Sequence, residues 1–202
     1  MKIEQILIYN EGYVHCHSKF YSSHDIIAAK DIYKFEKGIN IVHGDIDSGI
    51  WAISYLLSMY CHSPKDFVIF KQPIAIVNNE HMPLEEFAEY SCYMDCSYPL
   101  FSLNDPLNLV VKNLIISKEL DYSPDDIRNL FEIDKERFGR PLLGLGNNIY
   151  RAMAAIGYCQ GKQVFCFPWF SNVRYRILEN NLSNMCEQLS NLNMIVILPI
   201  GM

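Results

Sequence analysis

The sequence predicts an α/β fold, with a mostly parallel sheet, flanking helices, an N-terminal antiparallel β-layer and a small helical insert. Three observations carry this. Short, wholly apolar runs of strand-forming residues, Val164–Phe167 and Met194–Leu198, alternate with longer segments of helical spacing, and strands buried on both faces are the mark of a parallel sheet. Residues 2–9 instead alternate apolar and polar side chains, as a half-buried strand does, and the first forty residues read as a small β-layer. Between the two patterns, a β-rich run (Ile39, Ile41, Val42) enters two glycines five apart, Gly44 and Gly49, and a long apolar segment, Ile50 to Cys61, follows at once.

That last succession of strand, Gly-rich loop and helix is the frame of a phosphate-binding loop, whose backbone N–H groups and helix N-terminus attract anions. The residues that should follow the second glycine, a lysine and a hydroxyl, are Ile50 and Trp51. Asp47 and Ser48 sit where a helix cap is expected, and Ile50, Trp51, Ile53, Leu56, Leu57 and Tyr60 form a broad apolar face.

Along the chain, residues 2–9 make an opening strand, Asn10-Glu11-Gly12 a hairpin turn, and His24 to Phe35 a further strand. Phe67–Phe70 and Ile74–Val77 are short strands, and Pro83–Phe87 is a brief helix. Tyr90–Tyr98 is β-prone and ends at Pro99-Leu100-Phe101. Leu107–Leu120 has helical spacing. Ser123-Pro124-Asp125-Asp126 opens another helix with a capping Ser, Pro at the first position and acids in the first turn. A second glycine-punctuated loop, Arg140 to Asn148, leads into an apolar helix, Ile149–Cys159. After the strand at Val164–Phe167 and its stop at Pro168-Trp169, a polar helix covers Val173 to Leu192, and the final strand is closed by Pro199. One domain is expected over 1–202, with the β-layer at about 1–40 and the helical insert at about 100–140.

Composition narrows the function. With 202 residues, half of them apolar, and a net charge of −6, the chain has material for a sizeable core and lacks the basic stripe that nucleic acid requires. A polar N-terminus and the absence of any long apolar run leave no signal or membrane-spanning segment, so a cytoplasmic protein is expected. Seven dispersed cysteines suit buried, reduced thiols. His15-Cys16-His17, Cys61-His62 and Cys92-x-x-x-Cys96 lack the paired spacings of zinc sites, so no metal site is expected. On a strand, Cys16 would face away from His15 and His17, which argues against a Cys–His nucleophile.

In order and over nearly the whole chain, these elements resemble the nucleotide-binding domain of ABC transporters, a P-loop NTPase-like fold. Gly44 to Gly49 matches the frame of that family's phosphate loop. Leu143-Gly144-Leu145-Gly146-Asn147 lies where its signature loop would, before an alanine-bearing helix. Tyr93-Met94-Asp95 falls near the Gln-loop position, with Asp95 in place of Gln, and Phe20 or Tyr21 is placed to stack on adenine. The resemblance implies an ATP and Mg²⁺ site of Tyr21, Gly44, Asp45, Asp47, Ser48, Gly49, Ile50 and Trp51, pairing with itself or with an active ATPase subunit, and docking on a membrane transporter at the inner membrane face.

The departures fall on the chemistry. Ile50 and Trp51 replace the lysine and the Mg²⁺-binding hydroxyl. Pro168 and Trp169 replace the catalytic acids, Gly144 replaces the signature serine, and Pro199 or Ile200 stands where a histidine belongs. Asp45 and Asp47 add negative charge beside an expected triphosphate, and each unit of repulsion at close range costs on the order of a few kcal/mol. The expectation is weak ATP binding, no catalytic residue and a non-hydrolysing interaction or regulatory module. The alternative is a subunit that lends its signature-like loop to a composite site with an active partner. The same loops on an unrelated α/β protein remain a third reading. Each aspartate, Trp51, the Pro168-Trp169 pair and the glycines also have an ordinary structural role as cap, core or turn.

Overall fold

A computed structural model describes residues 1–9, 13–16, 24–26, 32–44, 50, 53–59, 67–71 and 74–202. Its strands are β1 (Gln5–Tyr9), β2 (Tyr13–Cys16), β3 (His24–Ile26), β4 (Ile32–Glu36), β5 (Gly38–His43), β6 (Phe67–Lys71), β7 (Ile74–Val77), β8 (Glu80–Met82), β9 (Ser91–Tyr93), β10 (Val164–Cys166) and β11 (Ile195–Ile200). Its helices are α1 (Ile53–Ser58), α2 (Leu84–Ala88), α3 (Leu107–Ser117), α4 (Pro124–Leu130), α5 (Lys135–Phe138), α6 (Ile149–Cys159) and α7 (Asn172–Asn191).

Alternation builds the antiparallel layer. Ile6 and Ile8 of β1 point inward and pair in register with Phe35 and Tyr33 of β4, which are also buried. The sheet order is β4-β1-β7-β8. The β7–β8 hairpin turns on Asn78 and Asn79, with φ of 52° and 70°, the left-handed pair that suits a tight two-residue hairpin. The Asn78 side chain also holds the N-terminus, accepting from the Glu4 N–H at 2.7 Å and donating to the Lys2 carbonyl at 2.6 Å. A second antiparallel sheet runs β3-β2-β6. The stretch expected as one strand from His24 to Phe35 is thus two, β3 and β4, and each belongs to a different sheet.

The parallel sheet has the order β5-β11-β10-β9. All six residues of β11 and all three of β10 are buried, and period 2 divides them between two cores. Val164, Cys166, Ile195 and Ile197 face a cluster with α1, α2 and the antiparallel layer. Phe165, Val196, Leu198 and Ile200 face a cluster with α3, α4, α6 and α7. Helix α6 seats close because of Gly157. A Cβ there would lie 2.9 Å from Phe165 and 3.2 Å from the Cys92 sulfur, so only glycine fits without displacement. Helix α4 starts as its sequence signals, with Ser123 and Asp126 forming a reciprocal capping box.

The last strand passes through Pro199 to Ile200 instead of stopping at it. The Phe167 N–H donates to the Ile197 carbonyl, so parallel register would next bring the N–H of residue 199 to the Phe167 carbonyl. Proline has none to give. The Ser54 hydroxyl of α1 donates to that carbonyl instead, at 2.5 Å and fully buried. Ser54→Ala leaves the carbonyl unpaired in the core, and urea unfolding should show a loss of about 1–3 kcal/mol; a change within a few tenths would show that Phe167 finds another donor.

Candidate functional site at the carboxyl edge of the parallel sheet

In an open parallel sheet the strand ends and helix starts converge at the carboxyl edge, where ligands of such folds bind. Here β5 ends in Gly44, β11 in Gly201, β10 in Phe167-Pro168-Trp169, and β9 in Met94-Asp95. Gly44 is tied to its neighbour by its N–H, which donates to the Ile200 carbonyl at 3.0 Å. Pro168 and Trp169 thus lie at the end of β10, one strand beyond β11 from the Gly44 loop.

Trp169 closes the gap. Its indole N–H donates to the Gly44 carbonyl at 3.1 Å. Its ring lies against Gly201, where a Cβ would meet it at 2.9 Å, and packs on the core beneath the antiparallel layer. The backbone around it is equally bound. Phe170 donates to Pro199 at 3.1 Å, and Gly201 to Phe170 at 2.8 Å. An aromatic ring, with one donor aimed at a backbone carbonyl, therefore occupies the edge between the β10 end and the start of the glycine loop.

Ile50, at the lysine position of the resemblance, is 4% exposed and belongs to the core shared with Val42, Ile53, Leu57 and Ile197. Tyr21, Phe20, Asp45, Asp47, Ser48, Gly49 and Trp51 lie outside the described residues, as does the hairpin turn at Asn10–Gly12.

Asp95 follows β9 at the opposite side of the sheet, three strand spacings from β5, roughly 14 Å. Its carboxylate accepts from the Ser97 backbone N–H at 2.9 Å and from the Ser97 hydroxyl, a local Asx turn. The structure does not bring it to Gly44. Near it stand Tyr150 at the start of α6 and Arg174 in the first turn of α7. Burial pushes the Tyr150 phenol up, while Arg174 opposes that shift. The Arg174 guanidinium also lies 5.6 Å from the Phe170 ring centre, a cation–π contact. Ser171 caps α7, its hydroxyl accepting from the Arg174 N–H at 3.3 Å.

The signature-like loop forms two 3-10 turns, Leu142–Gly144 and Gly146–Asn148. Leu142 and Leu145 anchor it in the core, while Leu143, Gly144, Gly146 and Asn147 are exposed, Leu143 by 63%. Arg137 holds it from below by donating to the Leu145 carbonyl at 2.7 Å. Gly146 is left-handed, with φ of 52°, and a Cβ there would press on the same guanidinium at 3.0 Å. Sequence reasoning missed Arg137, Ser54 and the Trp169–Gly44 bond. For Trp169 the signal was present: a half-buried indole needs an acceptor, and the strand end offers carbonyls.

Among the described residues, no group of three or more His, Cys, Asp or Glu side chains is placed to hold a metal ion, and no helix is long and apolar enough to cross a membrane.

No family model matches the chain, and no curated protein is similar to it in sequence. Solved structures are similar in fold. A putative ABC transporter ATP-binding protein from Pyrococcus furiosus superposes with a TM-score of 0.62 at 13% identity, over 96% of this chain and 90% of that one. An ATP-binding cassette in a dimeric post-hydrolysis state, bound to ADP and Pi, gives 0.57 at 9% identity, over 97% of this chain and 87% of that one. A bacterial Atm1-family ABC exporter with ATP bound gives 0.58 at 9% identity, over 98% of this chain and 34% of the exporter chain. The strand–loop–helix order, the parallel sheet with its antiparallel companion and these superpositions agree: the chain has the fold of an ABC transporter ATP-binding domain.

Proposed function

We propose that this protein is an ABC ATP-binding-subunit-like module whose nucleotide site no longer hydrolyses ATP, and which acts by pairing with itself or with an active ATPase subunit, including one bound to a membrane transporter. The observation that carries this reading is Trp169. It stands where the resemblance calls for a carboxylate, and it directs an apolar ring and an N–H at the Gly44 carbonyl. Phosphoryl transfer consists largely of positioning and charge neutralisation. An indole supplies no base, and the buried Ile50 supplies no cation. The backbone N–H groups of a glycine loop retain a modest pull on anions, about 1–2 kcal/mol at most in favourable geometry.

Isothermal titration with ATP and Mg²⁺ tests this. The expected dissociation constant is weaker than about 1 mM, corresponding to roughly −4 kcal/mol, with no phosphate release. Micromolar binding with turnover in the isolated chain would defeat the proposal.

The exposed signature-like loop supports a second reading. Leu143, Gly144, Gly146 and Asn147 face outward on an anchored base, an arrangement suited to touching a ligand held by another subunit. Under that reading, adding this chain raises the ATPase rate of an active partner, and Asn147→Ala or Gly146→Val weakens the stimulation. An unchanged rate for partner and mixture removes the second reading and leaves the first.

A further inference from the structure

We propose that Arg140 makes the signature-like loop a phosphate-contacting site, its guanidinium meeting the terminal phosphate of a nucleotide that an active partner subunit holds. The inference rests on the second reading above for the source of the phosphate. It names the side chain that takes the place of the hydroxyl missing at Gly144.

Charge is unevenly shared along this chain. From Arg137 to Leu178 there is no Asp or Glu, while Arg137, Arg140, Arg151, Lys162, Arg174 and Arg176 all fall there, in a protein of net charge −6. A segment of one sign raises the local potential and draws anions. Most of these cations are already used inside the fold. Arg137 donates to the Leu145 carbonyl at 2.7 Å, Arg151 pairs with Glu132 at 2.6 Å, and Lys162 donates to the Glu89 carbonyl at 2.8 Å. Arg174 lies over the Phe170 ring. Arg140 and Arg176 remain, both exposed and both without an ion pair among the described residues.

Of the two, Arg140 adjoins the loop. Its backbone is fixed from both sides, the N–H donating to the Arg137 carbonyl at 2.9 Å and the carbonyl accepting from the Leu107 N–H at 3.0 Å. The next residue, Pro141, bridges to Pro106. The Arg140 Cβ lies 3.7 Å from the place that a Cβ on Gly144 would take, so the side chain leaves the backbone beside the exposed Gly144. No carboxylate occurs between Arg140 and Asn148 to neutralise it. A serine hydroxyl gives a phosphate oxygen one neutral hydrogen bond, whereas a guanidinium brings a full charge and a planar fork that engages two oxygens at once. Arg137 is committed beneath the loop and leaves this role to Arg140. In the partner's reaction, the oxygen of water forms the new bond to the γ-phosphorus, and the bond to the β–γ bridging oxygen breaks, that oxygen leaving with ADP. Arg140 moves no proton; it stays charged and offsets the charge on the γ-phosphate oxygens.

Two measurements test this. In the first, tripolyphosphate is titrated into the isotope-labelled full chain, and the amides of Gly144, Gly146 and Asn147 are followed by nuclear magnetic resonance. They should shift with millimolar affinity, and Arg140→Gln should weaken that binding by about tenfold or more. Arg176→Gln, at an equally exposed and unpaired cation, should leave it unchanged. In the second, the chain is mixed with the active ATPase subunit encoded beside it. Arg140→Gln should cut the stimulated kcat by at least about tenfold, with the KM for ATP and the affinity between the subunits unchanged, and Arg140→Lys should recover part of the loss. Loop amides that ignore tripolyphosphate, or that respond equally in Arg140→Gln, would overturn the proposal, as would a stimulation that Arg140→Gln leaves intact. Binding of tripolyphosphate that depends on Arg140, with no stimulation of the partner by the unaltered chain, would uphold the phosphate contact and remove the second reading.

Discussion

Ile50→Lys, which restores the lysine of the resemblance, should lower the unfolding free energy by about 3 kcal/mol or more and should not produce ATP turnover. Ile50 is 4% exposed and packs among Val42, Ile53, Leu56, Leu57 and Ile197. An ammonium in that setting loses its hydration, and the described residues of the cluster offer it no carboxylate, so burial drives its pKa down. The sign follows: the unfolded chain holds the proton up to the ordinary lysine value while the folded chain sheds it earlier, so the penalty is largest at low pH and shrinks as pH rises toward about 10. Ile50→Met, which conserves volume, should cost less than about 1.5 kcal/mol. Guanidinium melts of both variants at pH 6 and pH 9 check the account. A lysine variant as stable as the parent, with micromolar ATP affinity, would show that position 50 swings out to face a ligand.

Alkaline pH should destabilise the fold steeply. Burial pushes the thiols of Cys92 and Cys186 up to about 12, and it also raises Cys166 well above the ordinary thiol value. Cys159, with no exposed surface, is likewise pushed up to about 12. In the unfolded chain these thiols ionise near their ordinary value while the folded chain keeps them protonated. Their stabilising effect is therefore complete below about pH 8 and drains as pH rises toward 12, by up to about 1.4 kcal/mol per pH unit for each fully buried thiol. Urea midpoints measured at intervals from pH 7 to pH 10.5, under reducing conditions, should fall with increasing slope. Cys92→Ala should flatten the curve, at the expense of a small cavity beside Gly157 and Phe165. A midpoint flat to pH 10.5 would mean that the thiols are solvated in the native state.

Much of this molecule is legible in its sequence because local chemistry and tertiary context agree. The capping box at Ser123, the apolar run of Ile149–Cys159 and the doubly buried strands at Val164 and Ile195 appear where their patterns place them, to within a residue or two. Legibility ends where a residue is used across the chain. Proline in a strand reads as a stop, yet Pro199 continues β11 because a hydroxyl from α1, far away in sequence, satisfies the carbonyl that proline cannot. The run from His24 to Phe35 has the composition of one strand, but pairing with β2 and with β1 assigns its ends to different sheets.

The candidate site divides in the same way. The glycines and the missing reactive residues are sequence facts, whereas the outward placement of Leu143, Gly144, Gly146 and Asn147 emerges only once Leu142 and Leu145 are seen to anchor the loop. That Pro168-Trp169 ends a strand could be read from the apolar run before it. That the indole reaches two strands across to Gly44, over a glycine at 201 that makes room for it, could not. Asp95 was placed by its order in the chain, and its carboxylate is engaged in its own turn on the far side of the sheet.

Single-turnover phosphate release addresses the central claim most directly. With the purified chain in excess over radiolabelled ATP and Mg²⁺, and active-subunit contamination excluded by mass spectrometry, release should stay at the rate of buffer alone, and Trp169→Phe should leave it there. Phosphate release well above buffer that tracks the protein, and that Trp169→Phe or Gly44→Val abolishes, would contradict the account and assign this carboxyl edge a working hydrolytic site.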